Sequence, residues 1–343
     1  MTDIQKKKKH YEVGEDLSRY LSSYSRSFSI PIRYQDLLRY ENSMPVLNKD
    51  GKDTLWESVM FSYNEMEDIN KGLTSIYALL QAGGDVSVIE HLSIDRIDYC
   101  TFGNSNPFRI RVINNFNDNY DYFYIKKADA SRVYGCEIEH ILSPNRINYI
   151  VDGSTLVEEH IAGIPGDQFI ADYMAKMSIN EIRVAKEFIK FNERCFVCLL
   201  GDMRSYNFVI DMTPDFDAVQ YRIRSIDFDQ ECYEGKKKMY LPQFFKENKA
   251  YVDLCVQHIT PETVEQYQKE ERALIAKRLY AARHRMTDLM KVMTKDRIST
   301  DEKVVQLKTE LAEHYHENGF LDCNNMGSIL KLNLQIADQK SVL

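Results

Sequence analysis

Residues 92–127 hold three short segments in a row, 93–99, 108–113 and 120–126, each rich in β-branched and aromatic residues. Such runs read as strands, and the linkers at 101–107 and 114–119 carry the Gly, Pro, Asn and Asp of tight turns. A helix is predicted over 131–142, with Asp129 or Ser131 available as its cap. Two more strands follow near 147–151 and 155–160, giving β-β-β-α-β-β.

The flanks read differently. Residues 1–50 are polar and tyrosine-rich and predict an irregular arm. From 53 to 82 a helical pattern places Leu55, Val59, Met60, Tyr63, Met66, Ile69 and Leu73 at three- and four-residue steps, with Trp56 as a packing anchor and Gly83-Gly84 as the stop. Beyond Gly166, helices are expected over 167–177 and 179–194. Two short apolar segments, 208–210 and 223–228, come next, and the chain past Leu241 is helical in character. The fold class is therefore α+β, with a natural cleft near residue 162. The expected domains are an N-terminal arm and helix (1–91), a β-rich region (92–162) and a helical region (163–343).

The formal charge of −8 argues against nucleic acid as the main partner, since phosphate binding needs a basic surface. The basic run at 6–9 precedes no apolar stretch, so neither a signal peptide nor a membrane anchor is expected. A second basic run, 236–238, either meets an acidic substrate or forms a solvated turn. The cysteines are scattered and odd in number, which fits a reducing compartment and a cytoplasmic location. Cys195 and Cys198 have CxxC spacing inside the apolar run CFVCLL, with no second pair to complete a zinc site. Buried packing is expected of them, and no structural metal.

Chemistry concentrates between residues 200 and 230. Gly201-Asp202-Met203-Arg204-Ser205-Tyr206-Asn207-Phe208 sets an aspartate five residues before an asparagine that opens an apolar strand. Ser225-Ile226-Asp227-Phe228-Asp229 then ends a second apolar strand on an aspartate. Phosphoryl transfer needs a carboxylate near the attacking hydroxyl and hard oxygen ligands for magnesium. A hairpin joining the two halves would bring Asp202, Asn207 and Asp227 to one rim.

This D-x-x-x-x-N followed by I-D-F-D resembles the catalytic and metal-binding loops of the protein-kinase-like superfamily, nearest to aminoglycoside and choline phosphotransferases and HipA-type kinases. The resemblance covers residues 93–240 and implies a two-lobed fold, a small β-rich lobe before a larger helical one, with an N-terminal helical extension. It implies ATP and Mg²⁺ as cofactors, Asp202 as catalytic base, and Asn207 and Asp227 as metal ligands. Asp229 stands where protein kinases carry glycine and is grouped with the metal set. Arg204 either steadies a transferred phosphate or pairs with an acidic neighbour.

The same resemblance makes Lys126, at the end of the third strand, the phosphate-holding lysine; Lys127 would point to the other face. Its partner is expected to be Glu137, which falls on the apolar arc of the predicted helix, whereas Glu139 points to solvent. Backbone around Glu159, His160 and Ile161 would meet the adenine edge. Gly103 and Ser105 belong to the loop over the phosphates, which lacks the usual three glycines. Leu200 replaces the histidine that commonly precedes the catalytic aspartate.

The expected function is an ATP- and Mg²⁺-dependent phosphotransferase. Its acceptor would be a small-molecule hydroxyl rather than a protein serine or threonine, with no nucleic-acid or membrane partner. The missing glycines and Leu200 motivate an alternative, a pseudokinase that binds nucleotide or partners without turnover. A helical interaction protein with accidental motifs is a third reading, to which the β-rich segment is foreign. Asp215, Asp217, Asp229, Glu231 and Glu234 either attract a cationic acceptor or form a solvated acidic loop.

Overall fold

The computed structural model describes residues 8–48, 50–82, 91–102, 105–176, 179–215 and 218–339. It is a mixed α+β structure in two compact units. The divisions fall between Ala130 and Ser131, between Arg146 and Ile147, and between His160 and Ile161.

The first unit is built on one antiparallel sheet. Its strands are β1 (Asn42–Leu47), β2 (Asp53–Met60), β3 (Leu92–Cys100), β4 (Phe108–Asn114), β5 (Tyr120–Lys127), β6 (Tyr149–Asp152) and β7 (Thr155–Glu159), in the order β1-β2-β3-β4-β5-β7-β6. Alternation decides which face is buried. In β4, Phe108, Ile110 and Val112 are buried while Arg109 and Arg111 lie on the other face. Across the ladder Phe108 pairs with Ile125 and Ile110 with Phe123. Ile69, Leu73, Ile76 and Leu80 of the helix Tyr63–Ala82 join these residues in a single core.

The N-terminal region departs from expectation. Residues 53–60 are a strand, paired with β1 and β3, and the helix begins only at Tyr63. Leu55 is exposed and Val59 buried, so the apparent helical spacing never made an apolar stripe. Ser62 ends the ambiguity: its carbonyl accepts from the Glu65 and Met66 amides, and its hydroxyl donates to Glu65 at 3.0 Å. Trp56 consequently lies on a strand, where the Arg109 guanidinium stacks 4.4 Å from its ring. Residues before 50 hold a helix, Glu15–Ser23, and the edge strand β1, so no sheet boundary falls at residue 91. The expected stop at Gly83-Gly84 lies outside the described residues.

The second unit is mainly helical. Most of the helix Ala130–Leu142 belongs to it, with the helices Glu181–Cys198, Lys249–His258, Pro261–Ala281, Arg283–Met293, Asp301–Tyr315 and Met326–Gln339. A small antiparallel sheet joins β8 (Ile164–Pro165), β9 (Phe208–Asp215) and β10 (Ala218–Ser225) in the order β10-β9-β8. The helix expected over 167–177 is instead one turn, Gly166–Gln168, running into the π-helical segment Phe169–Met174. There Phe169 stacks on Tyr173 at 5.3 Å and on Tyr251 at 6.4 Å. Cys195 and Cys198 are buried on the helix Glu181–Cys198, and burial pushes both thiols well up. Among the described residues no helix is long and apolar enough to cross a membrane.

The core assignment has a direct consequence. Phe123 is fully buried and Phe116 is exposed at a turn. Phe123→Ala should cost about 3–5 kcal/mol in urea unfolding, and Phe116→Ala about 0.5 kcal/mol or less. Equal effects would contradict the assigned sheet face.

Candidate active site

The site grows from the end of the helix Glu181–Cys198. Leu199 caps that helix at φ 56°, and Asp202 takes a second left-handed turn at φ 59°. A non-glycine residue holds such a conformation only where its surroundings enforce it. Three backbone bonds do so. The Gly201 amide donates to the Gln230 carbonyl at 3.2 Å, the Asp202 amide to the Met239 carbonyl at 3.0 Å, and the Arg204 amide to the Asp202 carbonyl at 2.8 Å.

Asn207 explains the five-residue spacing. Its Nδ2 donates to the Asp202 carbonyl at 2.8 Å, closing the loop and leaving the amide oxygen available. Its own carbonyl accepts from the Ile226 amide at 3.0 Å, just past the pairing of Phe208 with Ser225. The β9–β10 hairpin thus brings Asp202 and Asn207 alongside the segment that carries Asp227.

The carboxylates differ in their surroundings. Burial raises the Asp202 carboxyl above its ordinary range, the Arg204 hydrogen bond and charge oppose that, and the charges of Asp227 and Glu234 add to it. Arg204 Nε donates to Asp202 at 2.8 Å and Nη1 to Glu247 at 3.0 Å. The pairing with acidic neighbours is thus present, and it holds the Asp202 carboxylate in place.

Sequence reasoning missed Arg132. Its guanidinium is 2% exposed, and one nitrogen, Nη1, donates to Asp227 at 2.8 Å and to Asp229 at 2.7 Å. The Asp229 amide donates to Asp227 Oδ1 at 3.1 Å. Arg132 sits in the first turn of the helix Ala130–Leu142, where the helix dipole disfavours a cation. That misplaced charge was the available signal. Neighbouring Ser131 donates to the Glu231 carbonyl at 2.5 Å. A Cβ on Gly135 would stand 2.9 Å from Phe228 Cβ and 3.0 Å from Glu231 Cβ, so only glycine lets the helix approach this closely.

Lys126 and Glu137, expected to pair, each have another partner within their own unit. Lys126 Nζ donates to Glu158 at 2.6 Å, a same-face neighbour on β7, in the first unit. Glu137 receives two bonds from Arg285, at 2.6 and 2.9 Å, in the second. Period-two geometry put a carboxylate beside the lysine, and the helix body turned Glu137 to an arginine about 150 residues away in sequence, far beyond any local pattern. Glu139, expected in solvent, is buried, and burial raises its pKa against the nearby charge of Arg194.

The remaining candidates are scattered. β7 is flanked by β5 and β6, and the Glu159 amide is taken by the Asn148 carbonyl at 3.0 Å, so only His160 and Ile161 lie past the ladder. His160 Nδ1 stands 3.2 Å from the Tyr124 hydroxyl, and burial lowers its pKa. Ser105 is half-buried, while Gly103 and Asp217 lie outside the described residues. The acidic loop is not one cluster: Glu231 is buried, Glu234 pairs with Lys303 at 3.0 Å, and Asp215 accepts from Gln220 at 2.8 Å. Among the described residues no group of three or more His, Cys, Asp and Glu is arranged to hold a metal. Asp227, Asp229 and the Asn207 amide are nevertheless the hard oxygen donors that magnesium prefers. No family model matches the chain, and no curated protein matches it.

The raised Asp202 pKa fixes a sign. Its contribution to stability is present below the unfolded aspartate pKa and is lost as pH rises through the folded value. Asp202→Asn should therefore be more stable than wild type at neutral pH, with the gap closing in acid, as followed by urea unfolding across pH. A variant less stable at neutral pH, with equality restored in acid, would contradict that environment.

Proposed function

We propose that the protein is an ATP- and Mg²⁺-dependent phosphotransferase acting on a hydroxyl group, with a small-molecule acceptor preferred over a protein serine or threonine. The observation that carries this reading is the Asn207 side chain gripping the Asp202 carbonyl while its backbone receives the Ile226 amide. One loop and one hairpin thereby gather a candidate base and candidate metal ligands. The resemblance to the protein-kinase-like superfamily supports it, as does the presence of a sheet-rich unit and a largely helical one, the latter made of residues 131–146 and the chain from 161 onward. The strand order β3-β4-β5-β7-β6 fits the small lobe of such a two-lobed fold, although most of the helix after β5 belongs to the second unit.

In this reading Asn207 and Asp227 hold the metal, with Asp229 beside them. Bound there, Mg²⁺ would supply charge neutralisation for the ATP phosphates. Asp202 orients the acceptor hydroxyl and takes its proton as the bond from that oxygen to the γ-phosphorus forms and the bond to the β-bridging oxygen breaks, releasing ADP. The raised pKa of Asp202 favours proton uptake, and Arg204 positions its carboxylate. Lys126, held by Glu158, is the proposed phosphate-binding lysine of the first unit.

One observation favours a second reading, a nucleotide- or partner-binding module without turnover. Arg132 already offsets part of the charge of Asp227 and Asp229, a task that bound metal would otherwise perform.

Thermal unfolding with and without ATP and Mg²⁺ separates these outcomes. Ligand at a hundred times its Kd should stabilise the wild type by about 2.7 kcal/mol. The shift should vanish in Asp227→Ala, each variant being compared with itself. Asp202→Ala should keep the shift and lower kcat by about 10²–10⁴. A shift with no phosphotransfer or ATP hydrolysis in the wild type would favour the binding module, and no magnesium-dependent shift at millimolar ATP would overturn the proposal.

A further inference from the structure

The helices Pro261–Ala281, Arg283–Met293 and Met326–Gln339 enclose a cleft of about 510 Å³, within the second unit. That is the size of a site for a small ligand, typically about 300–1,000 Å³. The chain breaks at Ala282, and this bend between two helices opens the cleft wall. Met286, Met290 and Leu334 are buried and form an apolar floor, while Tyr280 stands exposed at the mouth. Methionine walls adapt to irregular apolar shapes.

The mouth is cationic in a chain of net charge −8. Arg283, Lys291 and Lys331 line it against the single carboxylate of Asp338. Lys291 is paired with Asp288 at 2.9 Å on the exposed helix surface. Among the described residues the Arg283 side chain meets its neighbour Tyr280, with the guanidinium 5.1 Å from the ring and a 3.4 Å bond to the carbonyl. Among the described residues neither Arg283 nor Lys331 has a carboxylate partner. Two unmatched cations above an apolar floor complement one chemistry: an apolar tail ending in an anion.

We propose that this cleft binds a free long-chain carboxylate, with the tail on Met286, Met290 and Leu334 and the head between Arg283 and Lys331. This site is independent of the nucleotide reading and uses none of its residues. Binding occurs to the folded chain as a one-to-one equilibrium and needs no covalent step.

Calorimetric titration of the full chain with dodecanoate, below its micelle concentration, tests the assignment. One saturable site per chain is expected. The double variant Arg283→Glu/Lys331→Glu, on the exposed rim, should weaken it about tenfold or more. Thr287→Trp, which fills the cleft from an exposed lining position, should weaken it without touching the charges. Dodecyltrimethylammonium, with the same tail and opposite head, should bind at least tenfold more weakly. The proposal is overturned by absent or multi-site dodecanoate binding, by equal affinity for the cationic amphiphile, or by unchanged affinity in both variants with folding verified by circular dichroism. Retention on phosphatidylglycerol vesicles without dodecanoate binding would equally overturn it, in favour of a lipid surface.

Discussion

A single buried guanidinium nitrogen, Arg132 Nη1, carries the carboxylates of both Asp227 and Asp229. Two aspartates so close in sequence and held against a helix repel each other unless a cation lies between them, and Arg132 supplies that cation. Breaking a buried pair such as Arg132–Asp229 typically costs about 3–5 kcal/mol, because it strands buried charge. The contact therefore ties the first turn of the helix Ala130–Leu142 to the segment following β10. The close approach permitted by Gly135 and the bond from Ser131 to the Glu231 carbonyl depend on the same docking. If the site takes up magnesium, the metal enters a place already balanced by one positive charge, so affinity must come from ATP phosphates as much as from protein oxygens.

Asp202, the proposed base, is held at a cost to the fold. Its backbone is left-handed, its carboxyl is desolvated, and its one strong side-chain partner, Arg204, is shared with Glu247. Desolvation disfavours a charged aspartate here, and the Arg204 bond offsets that only in part, so the carboxyl stays above its ordinary range. Elsewhere in the second unit a buried charge is well matched where Arg194 bonds Glu271 at 2.8 Å and the Ile223 carbonyl at 3.1 Å.

Much of the local structure was legible because local signals agreed. Alternation in Phe108–Asn114 and Tyr120–Lys127, turn residues between them and the apolar arc of Ala130–Leu142 each pointed to the element found. The Asp202–Asn207 spacing was legible for a physical reason as well: five residues are what the Asn207 amide needs to reach back to the Asp202 carbonyl. What stayed hidden was decided by partners distant in the chain. Residues 53–60 mimic a helix and become a strand because β1 and β3 pair with them. Glu137 looked like a partner for Lys126, yet Arg285 claims it, and Glu158 claims the lysine. Arg132 was visible only as a charge at the wrong end of a helix.

The account stands on Asp227 and Asn207 as ligands of one metal ion carried in with ATP. Pulsed electron paramagnetic resonance on the protein with Mn²⁺ and a non-hydrolysable ATP analogue tests this directly, with selective ¹⁵N labelling of asparagine and ¹³C labelling of aspartate. Metal-dependent couplings to phosphorus, to aspartate ¹³C and to an asparagine amide, with the asparagine coupling lost in Asn207→Ala and the aspartate coupling lost in Asp227→Asn, are the predicted result. Phosphorus couplings without any coupling to protein nuclei, the same as in free Mn²⁺–nucleotide, would contradict it.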